Sequence, residues 1–573
     1  MVVKAEELAK KQREIGVAEF FARNRHLLGF DNKSKALLTT IKEAVDNALD
    51  ACEEASILPE IQVQIIDLGK DRYRILIEDN GPGIVQKQIP KIFAKLLYGS
   101  KFHSMKQSRG QQGIGISAAV MYGQMTTGKP AKIVSRISEN HPAHLFELHI
   151  NTQKNKEEIV RTEELSEWYK DHGTTIEIEL EASYKLGRQS VDEYLKQTSI
   201  TNPHATIIYT NPKAEQLLFP RVTEKLPKEP KETKPHPYGV EIGTMIKMLK
   251  YSDAKTLQSF LSKEFTRVGT GTSKTICENA ALLPKTKPGK MSREQVDQLM
   301  QGIKHTKLMN PPTDCVSPIN EELFEKGVRR VVNAEFYTST TRHPSVYRGN
   351  PFVVEAAIAY GGSQPKDKSA VLLRFANRVP LQYQQSAGAI AKAVTDTSWR
   401  NYGLSQSQNS LPVGPLTIAV HVASVWVPFT SESKEAIANY DEITKEIKLA
   451  VQECGRKLGQ YVHKKKRVGL ELKKRSYIEK YIPHVADALK DLLELTPDQV
   501  NNVKLMLEST LENTRGKIVE VKFDKSKNEE FDETFAKIGK EDVSKKEESE
   551  IVKDEKKSLQ ERQTVLGEGK GLE

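Results

Sequence analysis

Cysteine is scarce in this chain: four residues in 573, Cys52, Cys277, Cys315 and Cys454, lie far apart with no C-x-x-C pair. That spacing points away from a thiolate zinc site, offers no disulfide framework and fits a reducing compartment. The thirteen histidines show no metal-ligand spacing. No window approaches the ~18 unbroken apolar residues of a membrane-spanning helix. The opening MVVKAEELAKKQREIG has no apolar core of a secretory signal. No G-K-[ST] follows any glycine loop, which excludes a Walker A site, and no internal repeat is visible. The cytoplasm, including its nucleoid, is the expected location.

What is present is charge. Lysine and arginine number 86 against 76 acids, a net +10, and such a balance favours a polyanionic partner, nucleic acid first. A basic tail without a target is the plainer reading of the same excess. The length leaves room for roughly three to four domains.

Residues 1–228 read as one α/β unit. KALLTTIKEAVDNALDACEEAS (35–56) carries apolar residues at helical spacing. IQVQIID and RYRILIED then alternate across a turn and predict an antiparallel pair with one buried face. AKIVSRI, HLFELHI and TTIEIEL predict further strands. RVTEKLPKEPKETKPHPYG is too rich in Pro and Lys for a regular element, so a boundary falls there. Residues 229–310 predict a small all-helical domain. Residues 311–475 return to α/β and end in one long helix from about 433. A further amphipathic helical segment occupies 476–522. The Lys/Glu-rich stretch 523–573 has too little apolar surface to offset chain entropy and is expected to be disordered.

Three weak motifs gain weight from their order. Glu43, Asp46, Asn47 and Asp50 share one helix face at i, i+3, i+4 and i+7. A solvated face is the ordinary meaning of such a row. About thirty residues later "IEDNGPGI" (77–84) ends a strand on an acid and enters a glycine loop. Alone it reads as a hairpin turn. "SRGQQGIGIS" (108–117) then places Gly110, Gly113 and Gly115 before a helix, where backbone N–H groups can cradle phosphate oxygens. The order of its glycines is not the dinucleotide fingerprint. Asn47 offers a hard neutral oxygen suited to Mg²⁺. Glu43, one turn earlier, can polarise a water for attack on a phosphoryl group. Asp79 can accept the exocyclic amine of adenine, with Gly81 and Gly83 letting the base approach the backbone.

Glu43/Asn47, "DNGPGI", "RGQQGIGIS" and "HGTT" resemble the four motifs of the GHKL ATPases, the class of gyrase B, MutL, the 90-kDa heat-shock chaperone and histidine kinases. The resemblance implies a Bergerat α/β sandwich that holds ATP and Mg²⁺ under a mobile lid. It makes Glu43 the general base, Asn47 the magnesium ligand and Asp79 the adenine reader. Arg109, Gly110, Gln111, Gln112, Gly113, Ile114, Gly115 and Ile116 would form the phosphate loop, although the glutamines stand where a more hydrophobic pair is expected. Thr174 would support adenine through water, with Thr175 as the neighbouring alternative.

"LLYGSKFHSMKQSRGQQGIGISAAVMYGQMTTGKP", "KPHPYGV", "NPFVVEAAIAYGG", "LRFANRVPL" and "VPFTSESKEAIA" narrow this to a close similarity with the family of DNA topoisomerase VI B subunits. That resemblance implies a helix–two-turns–helix domain between the ATPase and an S5-like transducer, matching the helical block. It places Ser100 and Lys101 near the nucleotide and makes Lys434 a switch lysine reaching the γ-phosphate. It implies ATP-driven self-dimerisation, double-stranded DNA as substrate, and a cleaving A subunit as partner in an A2B2 assembly. A MutL-like or chaperone-like ATP clamp that cuts nothing is the alternative. "FTRVGTGTSKTI" (265–276) resembles a DNA-phosphate-binding hairpin between helices, and an unliganded turn explains it equally. The basic run "HKKKRVGLELKKR" (463–475) reads equally as a DNA contact or as cations at a helix end.

Overall fold

The computed structural model describes residues 8–9, 15–101, 104–110, 113–431 and 434–515. Gln111, Gln112 and the charged tail from 523 therefore lie outside the described residues.

The alternating segments of the N-terminal part form one eight-stranded sheet. Its strands are β1 (Glu60–Gly69), β2 (Arg72–Asp79), β3 (Ala131–Arg136), β4 (Ala143–Asn151), β5 (Lys156–Leu165), β6 (Gly173–Glu181), β7 (Thr206–Thr210) and β8 (Gln216–Phe219). They run in the order β5-β4-β3-β6-β2-β1-β7-β8, antiparallel except where β1 meets β7. Ile61, Val63, Ile65, Ile75 and Ile77 of IQVQIID and RYRILIED face inward and are buried against α1 (Val17–Arg23), α2 (Lys33–Glu54), α3 (Ile89–Ala94), α4 (Gly115–Thr127) and α5 (Val191–Thr201). Strands β5, β7 and β8 are additions to the sequence reading. KEEIVRTEEL and QLLF are exposed along most of their length, so neither carries the one-sided apolar alternation that marks a half-buried strand.

Residues 237–309 hold four helices, α6 (Ile242–Tyr251), α7 (Leu257–Glu264), α8 (Thr270–Asn279) and α9 (Arg293–His305), around a core of their own. A capping box of Ser292 and Gln295 opens α9.

The second sheet comprises β9 (Phe336–Thr341), β10 (Ser345–Tyr347), β11 (Asn350–Tyr360), β12 (Val371–Ala376), β13 (Val379–Pro380) and β14 (Leu416–Ser424), ordered β10-β11-β14-β12-β13 with β9 also beside β11. Both faces are covered: Phe324 and Val328 of α10 (Glu321–Val331) pack on one, and α11 (Gly388–Thr395) with Ile447 and Val451 of α12 (Asp441–Leu493) on the other. Burial on two sides explains why FVVEAAIAY and LTIAVHVAS are almost unbroken apolar runs. At Gly327 a Cβ would stand 2.1 Å from the Ile200 carbonyl, so α10 and α5 touch backbone to backbone.

The long helix differs from its expected span. It starts at Asp441, not about 433, because Lys434 is left-handed (φ 53°) and Ile437 pairs with Phe429 as an isolated bridge. It also runs past 475 and through Pro483 to Leu493, absorbing the second amphipathic segment. The proline removes one helical hydrogen bond, but Ile482 and Ala486 around it are buried. In this C-terminal part, Arg475 lies 3.9 Å from Glu512 and Lys504 3.9 Å from Asp487, linking the long helix to α13 (Pro497–Arg515) by partly exposed ion pairs. Among the described residues no helix is long and apolar enough to cross a membrane.

Helix α2, which carries the candidate acids, is opened by Asn32, whose side chain accepts the Lys35 N–H at 2.9 Å. Asn32→Ala should destabilise the fold by about 1 kcal/mol and Asn32→Gly by only a few tenths, read from denaturant unfolding followed by circular dichroism.

Candidate functional site

A cavity of about 700 Å³ lies over β2 and β6, walled by α2, the segment after α3, the start of α4 and, from the second sheet, the β13 hairpin and the loop at Lys434. Fourteen of the residues singled out in the sequence line it: Glu43, Asn47, Asp50, Asp79, Gly83, Ser100, Lys101, Gly110, Gly113, Ile114, Gly115, Ile116, Thr174 and Lys434. Four separate reaches of sequence, at 43–50, 79–83, 100–116 and Thr174, thus meet Lys434 on one surface.

Strand register builds the inner end. Asp79 is the last residue of β2 and stands opposite Thr174 of β6. Its Oδ1 accepts the Gly81 N–H at 2.8 Å and the Thr174 N–H at 3.2 Å. Among the described residues nothing bonds Oδ2, and the residue lines the cavity. Burial pushes the Asp79 carboxyl up to about 6, against the opposing pull of the Gly81 amide and Lys170. The loop needs its glycines. A Cβ at Gly83 (φ +68°) would fall 1.9 Å from the Arg136 carbonyl, and one at Gly81 would fall 2.9 Å from Asp79 Oδ1. Gly81 itself does not line the cavity; it braces Asp79 from behind. Thr174 and Thr175 separate by strand alternation. Thr174 Oγ1 lies 2.9 Å from Ser135 Oγ at the cavity wall, whereas Thr175 Oγ1 donates to Glu78 at 3.3 Å on the opposite face.

The outer end is built by α2 against the glycine loop. A Cβ at Gly115 would sit 1.8 Å from Glu43 Oε2, so the start of α4 lies directly on that carboxylate. Asn47 Oδ1 is the nearest atom to a Cβ at Gly110, at 3.8 Å. The other two acids of the α2 row turn away from this role. Asp46 accepts the Tyr194 hydroxyl at 3.0 Å, and burial pushes its carboxyl up to about 6. Burial alone would also raise Asp50, but Lys101 and Arg109 reverse this and hold it below the usual carboxylate range. Lys101 donates to Asp50 at 2.6 Å and lies 3.1 Å from Glu54.

Arg109 is placed differently from the expectation of a cavity residue. Its guanidinium is buried away from the cavity, bonding Asp50 at 2.6 Å, both oxygens of Glu53 at 2.7 and 3.0 Å, and Asn202. Its carbonyl oxygen accepts the Lys434 ammonium at 2.9 Å. Glu435 beside it accepts from Lys35 at 2.7 Å and Gln384 at 2.6 Å, fixing the loop to α2 and to the segment following the β12–β13 hairpin. Lys42, Tyr98, Tyr194, Gln382 and Tyr383 also line the cavity and were not found from sequence. Lys42 and Tyr98 sit within stretches already quoted but carry no role there, whereas Tyr194, Gln382 and Tyr383 are brought to the cavity by the packing of distant segments.

Because Asp79 is about 6 when folded and about 3.9 when unfolded, the folded state binds the extra proton between those values, and stability falls as pH rises through that window. Asp79→Asn should therefore raise the melting temperature at pH 8 and bring a smaller gain at pH 5. Equal shifts at both pH values in differential scanning fluorimetry would contradict the assignment.

Comparison with known proteins follows the same division. Residues 32–183 match the family model described as histidine kinase-, DNA gyrase B-, and HSP90-like ATPase, and residues 311–474 match topoisomerase VI B subunit, transducer. The chain is 51% identical over 500 residues to the B subunit of type 2 DNA topoisomerase 6 from Methanococcoides burtonii, covering 87% of this chain and 80% of the relative. It is 50% identical to the protein of that name from Methanosarcina barkeri, with the same coverage. It is 46% identical to that from Archaeoglobus fulgidus, covering 87% of this chain and 82% of the relative. The ATPase motifs, the transducer sheet and this identity across most of both chains lead to one conclusion: the chain belongs to the family of type 2 DNA topoisomerase 6 B subunits.

Proposed function

We propose that this chain binds and hydrolyses ATP as the B subunit of a type IIB DNA topoisomerase. The observation that carries the reading is the meeting of Asp79, Glu43, Gly110, Gly113 to Ile116 and Lys434 on one cavity of about 700 Å³, a volume within the range of nucleotide-sized pockets. Adenine sits at the inner end, its exocyclic amine donating to Asp79 Oδ2 and Thr174 supporting it through water. The triphosphate runs outward to the amides of the glycine loop, with Ser100 and Lys101 beside it. Arg109 contributes its backbone rather than its side chain.

The donor set at the outer end suits a hard cation: Asn47 Oδ1 faces the root of the glycine loop at Gly110. Asn47 would hold Mg²⁺ together with phosphate oxygens and waters, and the ion would neutralise phosphate charge. Glu43 accepts a proton from the attacking water while the water oxygen bonds to the γ-phosphorus and the bond to the β,γ-bridging oxygen breaks, releasing ADP and phosphate. Lys434 exchanges the Arg109 carbonyl for the γ-phosphate and so reports its presence to the transducer.

The chain then divides as an ATPase domain (1–228), a helix–two-turns–helix domain (229–310), a transducer with stalk (311–475) whose stalk helix continues to Leu493 within the C-terminal helical segment (476–522), and the tail. In this reading ATP draws two copies together around a DNA duplex. The long helix carries the transducer's motion to a DNA-cleaving A subunit in an A2B2 assembly, on the nucleoid. The transducer match over 311–474 and the relatives' names favour this over a clamp that cuts nothing.

Nucleotide titration and phosphate release test the roles. Glu43→Ala should keep nucleotide binding and lose hydrolysis by about 10²–10⁴-fold. Asn47→Ala should lose the Mg²⁺-dependent part of binding. Asp79→Ala should weaken ATP binding, and undiminished affinity would remove the basis of the assignment. With an A-type partner and supercoiled DNA, relaxation should require ATP; a chain that is a complete clamp without any partner would favour the alternative.

A further inference from the structure

The tip of the β12–β13 hairpin is two residues long, Asn377 and Arg378, and both are left-handed, with φ of 47° and 69°. A two-residue turn of this hand strongly favours Asn-Gly. Asparagine fits the first position, but a buried arginine at the second holds backbone strain that persists only where its surroundings over-determine it. The surroundings here belong to three parts of the chain. The Arg378 N–H donates to His421 Nε2 at 2.9 Å, while His421 Nδ1 lies 2.8 Å from Glu355. The Arg378 carbonyl accepts from Thr201 at the end of α5 at 2.6 Å. Its guanidinium donates to the carbonyl and hydroxyl of Ser317, each at 3.2 Å, and lies 3.8 Å from Glu53.

Glu53 is the carboxylate that grips the Arg109 guanidinium, and Asn377 donates to the Ser108 carbonyl at 3.1 Å. The turn therefore holds both residues that precede Gly110. The Arg109 carbonyl is in turn the acceptor for Lys434. Arg378 does not line the cavity; whatever it does for the site passes through Glu53 and Arg109.

We propose that Arg378 is a positioning residue for ATP hydrolysis: through Glu53 and Arg109 it fixes the root of the glycine loop, so that loop and transducer sheet take one arrangement together. This rests on the reading of the cavity as an ATPase site. Displacing the loop root misaligns the phosphates with Glu43, whereas Asp79 and Thr174, on β2 and β6, keep their grip on the base. The effect falls on turnover rather than on affinity.

Arg378→Gly separates this role from a merely structural one, because glycine relieves the strained turn while deleting the guanidinium. In the full-length chain, steady-state ATP hydrolysis, titration with a non-hydrolysable ATP analogue and thermal melting are compared with wild type. The expected result is a kcat lower by about tenfold or more, KM and analogue affinity within about threefold, and a cooperative melt near that of wild type. Arg378→Lys, which retains the charge but not the fork, should recover part of kcat. A folded Arg378→Gly with wild-type kcat overturns the proposal, as does a rise in KM with kcat unchanged. If the glycine variant does not fold, Arg378→Lys decides by the same split: an unchanged kcat overturns the proposal. Absence of hydrolysis by the wild-type chain, with or without DNA and the A-type partner, would instead sink the ATPase reading, so the two failures are distinguishable.

Discussion

The outer end of the site depends on how one buried cation is neutralised. Arg109 is withdrawn from water between Asp50, Glu53 and Asn202, and a charge so placed is tolerable only when paired and hydrogen-bonded. The pairing has a geometric product. Asp50 and Glu53 sit on the last turns of α2 and Arg109 immediately before the glycine loop, so satisfying the charge docks the loop onto the helix that carries Glu43 and Asn47. Removing one member of such a buried pair typically costs about 3–5 kcal/mol. Ion pairing at the root of the loop thus fixes Arg109 against the end of α2.

The glycines complete what the ion pairs begin. Gly115 lets α4 start against the Glu43 carboxylate, and Gly83 lets the loop after β2 lie on the Arg136 carbonyl. Each close approach brings a backbone to a place where any side chain would push the wall outward. The inner and outer ends of the cavity are held by different means, strand register at Asp79 and Thr174 and helix packing at Glu43, and this separation lets one end be disturbed without the other.

Much of this was legible in the sequence because it is periodic or local. Alternation located β1, β2 and β6, and with them the strand-terminal position of Asp79; helical spacing put Glu43 and Asn47 on one face. The choice between Thr174 and Thr175 was open in the sequence and follows from register, since neighbours on a strand face opposite ways. What was not legible depends on distant partners. Arg109 sits inside a phosphate-loop motif, yet its side chain answers to acids more than fifty residues earlier. The face row on α2 looked uniform, but Tyr194 claims Asp46 and Lys101 claims Asp50. The continuation of the long helix through Pro483 was hidden because local propensity argues for a break there, while burial of Ile482 and Ala486 outweighs it.

The cavity wall is shared. Pro380 at the end of β13, with Gln382 and Tyr383 just after it, lines the same space as Asp79 of the first sheet. A molecule spanning that space touches two hydrophobic cores at once and acts as a tie between them. Its binding free energy is then distributed over both sheets, and melting either one forfeits the whole of it. Filling the cavity should therefore make the two halves unfold as a single cooperative unit.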